Sequence, residues 1–197
     1  MIDLDLLIAH GGNFKKIAKG TTIFSEGTIC NFYYQLVTGR VLWLNIDDEG
    51  KEFIQTVIDP GECFGELPLF DSEPYAASAI ADEDSVVIRI HKPVFEQLIK
   101  ENHDIHFKFT RLLVQRVRFK IIILKSLASH HPPLMINALL NYLKKENLNF
   151  CADRTQLNLT RQQIADMTGL RVETVIRSMR QMHDDGILFI EKGKVYC

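Results

Sequence analysis

Much of what would place this chain in a familiar chemical class is missing. Its four cysteines, Cys30, Cys63, Cys151 and Cys197, stand far apart with no C-x-x-C among them. That excludes a disulfide framework and reads as free, reduced thiols of a cytoplasmic protein. No apolar run approaches the ~18 residues that a membrane span needs. The start, Met1-Ile2-Asp3-Leu4-Asp5, is acidic where a signal peptide would be basic. The expectation is a cytoplasmic chain without membrane contact. Histidine is sparse as well, with His91 alone between residues 11 and 102. A barrel-shaped metalloenzyme clusters histidines on its strands. His103 and His106, three apart, read as a solvated helix face. No Ser-His-Asp or Cys-His arrangement can be assembled, so no enzyme activity, metal or cofactor is expected. Low-complexity tracts and repeats are also lacking.

What is present is an ordinary globular balance, distributed unevenly. The 197 residues are 46% hydrophobic and 24% charged, with a formal net charge of -2. Residues 1–130 carry 14 Lys/Arg against 18 Asp/Glu, whereas residues 131–197 carry 9 against 7. An acidic body with a mildly basic tail suits a small nucleic-acid contact surface attached to another domain.

Between residues 14 and 92, short β-branched and aromatic runs recur at 32–36, 41–46, 53–58 and 86–90. Gly20, Gly27, Gly39, Asp48-Glu49-Gly50, Pro60-Gly61 and Asp71 separate them. Strands at that spacing predict an antiparallel sandwich or barrel. Pro93 opens a helix, and a longer one follows from about 104 to 129. Its apolar residues Phe107, Thr110, Val114, Val117, Ile121, Leu124 and Ala128 step by three and four, the coiled-coil repeat that marks a dimer seam. Ile122 and Ile123 widen the apolar surface, so part of the helix packs on its own subunit. His130-His131-Pro132-Pro133 ends it and marks a hinge. Residues 134–146 form another helix with Leu134, Ala138, Leu139, Tyr142 and Leu143 on one face.

Residues 159–170 are the most informative stretch. Thr160 and Gln163 make a capping box that starts a helix. Ala165 is small where crossing helices would touch, Gly169 suits a left-handed turn, and Val175 returns an apolar side chain. These offsets predict a helix-turn-helix. The second helix, about 171–183, presents Glu173 and Arg177 four residues apart on one face. Arginine donates twice to guanine and glutamate accepts from cytosine; the alternative is a solvent-exposed ion pair. Arg171 and Arg180 are candidate phosphate contacts. Beyond Asp185-Gly186, two short runs around Lys192-Gly193 predict a wing, with Lys192 and Lys194 facing the DNA backbone.

At this point the sequence resembles the CRP/FNR family, the catabolite-activator and fumarate-nitrate regulators. The first block that carries the resemblance is Thr38-Gly39-Arg40-Val41, Glu49-Gly50 and the run from Asp59-Pro60-Gly61 to Cys63-Phe64-Gly65-Glu66-Leu67. The second spans 159–186. The resemblance implies an α+β chain: an N-terminal antiparallel β-roll, jelly-roll-like, with flanking helices (1–100), a long central dimerisation helix and hinge (101–131), and a C-terminal winged helix-turn-helix (132–197). It implies a homodimeric DNA-binding transcription regulator acting on a near-palindrome, with RNA polymerase as a partner if it activates. It makes Thr160, Arg161 and Gln162 phosphate contacts and puts Glu173 and Arg177 on the bases. Ile176 stands where the fumarate-nitrate branch has serine, and would meet a thymine methyl. It also draws Cys63, Gly65, Glu66, Leu67, Ala76 and Ala77 into an effector pocket, which Tyr33, Trp43, Phe53 and Phe64 would help line.

The effector side departs from the family pattern. Cyclic-AMP-binding members follow Gly-Glu-Leu with an arginine and a small hydroxyl residue that hold the cyclic phosphate; Ala76 occupies the arginine position here. A buried phosphate without a cation is strongly disfavoured. The central helix has Phe119, Lys120 and Ile121 near where the cyclic-AMP receptor meets adenine with Thr-Ser. Cyclic-AMP control is therefore not expected, and an effector without phosphate, or none, stays open. So does a second reading, a ligand-sensing roll whose C-terminal domain docks a protein.

Overall fold

The computed structural model describes residues 1–128, 131–151 and 155–197, without the side chains of 126–128. The elements follow in order: α1 (Leu4–Ala9), β1 (Asn13–Ile17), β2 (Thr22–Phe24), β3 (Phe32–Thr38), β4 (Val41–Ile46), β5 (Glu52–Ile58), β6 (Cys63–Phe64), α2 (Leu67–Asp71), β7 (Ser78–Ala81), β8 (Ser85–His91), α3 (Lys92–Glu101) and α4 (His103–Ala128). Then come α5 (Pro132–Glu146), α6 (Arg161–Thr168), α7 (Val172–Asp184), β9 (Phe189–Glu191) and β10 (Lys194–Tyr196). The chain divides into two compact units, Met1–Leu113 and Val114–Cys197, with the division inside α4.

The first unit is two antiparallel four-stranded sheets, ordered β1-β8-β3-β6 and β2-β7-β4-β5. The four runs read from sequence are β3, β4, β5 and β8; β4 has its expected bounds, and the other three extend one or two residues beyond theirs. Side chains alternate across a strand, so β3 serves two layers at once. Tyr33 stacks on Phe95 of α3 at 5.0 Å and meets Phe109 of α4 edge-on. Tyr34, one residue on, packs inside the roll against Phe24 and Phe64. This explains why β3 is buried on both faces rather than alternating. Gln35 ties α1 to the sheet: its Oε1 accepts from the Ile2 amide and its Nε2 donates to the Ile2 carbonyl.

In the second unit, the C-terminal half of α4 packs on α5. Phe119 stacks on Tyr142 at 4.5 Å, and Ile123 is buried. This is the contact that Ile122 and Ile123 implied. The Tyr142 hydroxyl donates to the Gln115 carbonyl. Pro132 and Pro133 lie at the first positions of α5, after an extended His131. They therefore start a helix at 132, two residues earlier than the sequence pattern suggested, because the first turn of a helix has no use for their missing N–H. The hinge reading falls in part on residues 129 and 130, outside the described residues, as does the Ala128 side chain of the seam. No helix among the described residues is long and apolar enough to cross a membrane.

Candidate DNA-binding face and sensor roll

The capping box forms as read. The Thr160 Oγ1 accepts from the Gln163 amide at 3.1 Å, and the Gln163 Oε1 accepts from the Thr160 amide at 3.0 Å. Gly169 caps α6 at φ +71°, a conformation that costs a residue with a Cβ. It turns the chain so that Val175 and Met179 bury completely. With Met182, these residues place the inner face of α7 against α5 and α6.

The outer face of α7 is what remains. Glu173, Ile176, Arg177 and Arg180 are exposed along it, and Arg171 is exposed at its N-cap. Among the described residues no ion pair joins Glu173 to Arg177, so the alternative reading of the two as a surface pair is not seen. A bulky apolar residue, Ile176, is left 46% exposed beside two polar ones.

The flanking contacts are less alike than the sequence suggested. Gln162 donates to Asp166 one turn on, at 2.8 Å. Arg161 donates from Nη1 to the Gly193 carbonyl at 2.7 Å, and burial lowers its pKa. Arg161 therefore fastens α6 to the wing and keeps its remaining donors for another partner. The wing turn carries Lys192 at φ +47° and Gly193 at φ +80°, with Lys192 and Lys194 exposed. Sequence reasoning missed two short bridges ahead of α6: Phe150 pairs with Leu157, and Gln156 pairs with Tyr196 of the wing. Single bridges leave no periodic signal.

The sensor residues separate into two groups. Cys63 lies opposite Gln35 in the β3–β6 register, on the face that Tyr33 shares. Tyr33 and Cys63 therefore point away from the roll interior, which corrects the expectation that both line one pocket with Phe64. Burial pushes the Tyr33 hydroxyl well above its ordinary pKa, and the nearby Cys63 and Glu66 add to the rise. Glu66 is fully buried. Inside the roll, Phe24 and Tyr75 stack at 3.8 Å with rings 9° apart, and Tyr34 and Phe64 close around Phe24. Ala77 is buried in the same core, whereas Ala76 is exposed with its carbonyl accepting from Asn45 Nδ2. Residues 62–78 contain four carboxylates and no lysine or arginine. The Lys92 ammonium reaches this loop from α3, donating to the Pro68 carbonyl at 2.8 Å and to the Ser72 hydroxyl at 3.2 Å.

Along α4, Phe107, Val114, Val117, Ile121 and Leu124 are 48–68% exposed. Among the described residues, no group of three His, Cys, Asp or Glu side chains is placed to hold a metal.

Comparison with known proteins accounts for both units. Residues 14–102 match the cyclic nucleotide-binding domain and residues 135–196 the Crp-like helix-turn-helix domain. The chain is 30% identical over 187 residues to the cAMP-activated global transcriptional regulator CRP of Haemophilus influenzae, covering 94% of this chain and 83% of that one. The same fold is seen in FixK2 from Bradyrhizobium japonicum, with a TM-score of 0.76, 22% identity and coverage of 94% and 91%. It is seen also in the c-di-GMP responsive global regulator CLP of Xanthomonas campestris, with a TM-score of 0.75, 21% identity and coverage of 98% and 96%.

Proposed function

Because the chain belongs to the CRP/FNR family of DNA-binding transcription regulators, we propose that it acts as a homodimer on a near-palindromic duplex site and is not controlled by cyclic AMP. The outer face of α7 is the observation that carries the DNA reading. Arg177 donates to a guanine, Glu173 accepts from a cytosine, and Ile176 meets a thymine methyl. Arg171, Arg180, Thr160, Gln162, Lys192 and the free donors of Arg161 hold the phosphates on either side. The exposed α4 stripe supports the dimer, because large apolar side chains left in water at the heptad spacing are stabilised by a second copy of the same stripe. A two-fold dimer sets its recognition helices roughly 34 Å apart, one duplex turn, and reads two half-sites. Ala76 at the phosphate-binding position supports independence from cyclic AMP. An activator of this design would contact RNA polymerase beside its site.

The test is sedimentation of the chain with a duplex carrying a selected site, together with titrations over a range of salt. Two chains per duplex and an affinity falling linearly in log–log salt are expected. One chain per duplex would overturn the dimer. An affinity indifferent to salt would overturn the DNA-binding face.

A further inference from the structure

Inside the roll, the chain's own aromatic side chains pack against Gly65, one of the residues that the family resemblance draws into an effector pocket. Gly65, in the Gly-Glu-Leu loop, has φ +65°, and a Cβ built on it would overlap the Phe24 ring edge and lie 2.9 Å from Tyr75 Cε1. The two rings thus rest directly on the loop backbone at Gly65. They are also held there. The Tyr75 hydroxyl donates to Cys30 Sγ at 3.1 Å, its amide donates to the Thr28 carbonyl, and its carbonyl accepts from the Gly27 amide. Phe24, clamped between Tyr75 and Tyr34, is 8% exposed. Four aromatic rings packed at 3.8 to 5.9 Å form one plug.

We infer that the Phe24–Tyr75 stack is a built-in plug that occupies the cyclic-nucleotide space of the roll, so that shape as well as the charge lost at Ala76 excludes the nucleotide and the roll holds its folded form without an effector. The inference rests on the reading that this regulator works without cyclic AMP, and supplies its structural cause. Two obstacles of different kinds make a distinctive prediction: relieving either alone restores nothing. An arginine at exposed position 76 would restore the missing cation but leave the interior filled. Smaller side chains at 24 and 75 would open the interior but leave the phosphate among carboxylates.

The experiment is calorimetric titration of the full-length chain with cyclic AMP. Four proteins are compared: the natural chain, Ala76→Arg, Phe24→Ile/Tyr75→Val, and the triple variant combining them. Thermal unfolding of each confirms that it is folded. The inference expects no saturable binding in the first three and saturable binding in the triple variant alone. Binding by Ala76→Arg with the rings in place overturns the plug while leaving cyclic-AMP independence of the natural chain intact. Binding by the natural chain overturns both. A folded triple variant that fails to bind also overturns the plug as the steric determinant. Should the triple variant not fold, Ala76→Arg decides, since it alters one exposed residue and keeps the stack: binding overturns the plug, and no binding supports it. None of these readouts involves DNA, so failure of the DNA-binding reading stays separate.

Discussion

Replacing Arg177 with alanine separates base reading from simple charge attraction. In the free chain Arg177 is exposed and makes no ion pair among the described residues, and α7 is anchored through Val175, Met179 and Met182 on the opposite face. Alanine is also the better helix former. The substitution should therefore leave thermal unfolding unchanged to within about 0.5 kcal/mol. On DNA the loss is a bidentate contact to guanine, worth about 1–3 kcal/mol, or roughly 5- to 150-fold in affinity. Fluorescence anisotropy titrations on the selected duplex and on duplexes altered at one base pair measure it. The variant should lose affinity on the preferred site and bind the altered sites as well as the natural chain does. An equal loss on every duplex, with the salt slope reduced by about one, would make Arg177 a phosphate contact and refute the base-reading assignment.

Thr160→Ala removes one half of the capping box and should lower the stability of the C-terminal unit by about 1 kcal/mol, with Thr160→Ser close to neutral by thermal unfolding. Val117→Glu places a charge in the exposed α4 stripe and should shift the chain to monomer in sedimentation while weakening DNA binding. Lys120 lies on α4 with its pKa lowered to about 8, chiefly by burial and then by Arg116. Its ordinary value is 10.5, so between about 8 and 10.5 the unfolded chain binds more protons, and stability gains a contribution as pH rises through that window. Lys120→Met should remove that contribution and raise the unfolding temperature at neutral pH. A difference between variant and natural chain that does not shrink from pH 7 toward pH 10 would contradict it.

The parts of the fold legible from sequence were those with a repeating or local cause. The strands β3, β4, β5 and β8 announce themselves through β-branched runs closed by glycine turns, and α4 through its three-four spacing. The capping box at Thr160 and Gln163 and the turn at Gly169 are local rules with local residues, and the structure obeys both. The wing was legible because Lys192-Gly193 separates two short apolar runs. What stayed hidden depends on residues far apart in the chain. Phe24, Tyr34, Phe64 and Tyr75 come from β2, β3, β6 and the loop before β7, so nothing in the sequence says that they meet. Tyr33 and Tyr34 look equivalent until α3 and α4 claim one face of β3 and the roll interior claims the other. The bond from Arg161 to the wing was hidden as well, because the Gly193 carbonyl that it reaches lies 32 residues on.

A chain that reads a near-palindrome on its own needs no ligand to select it. Selection of the purified protein on a randomised duplex pool, without and with cyclic AMP, tests it most directly. The same near-palindrome is expected in both conditions, with a G·C pair in each half-site. Enrichment only when cyclic AMP is present, or a site without two-fold symmetry, would contradict it.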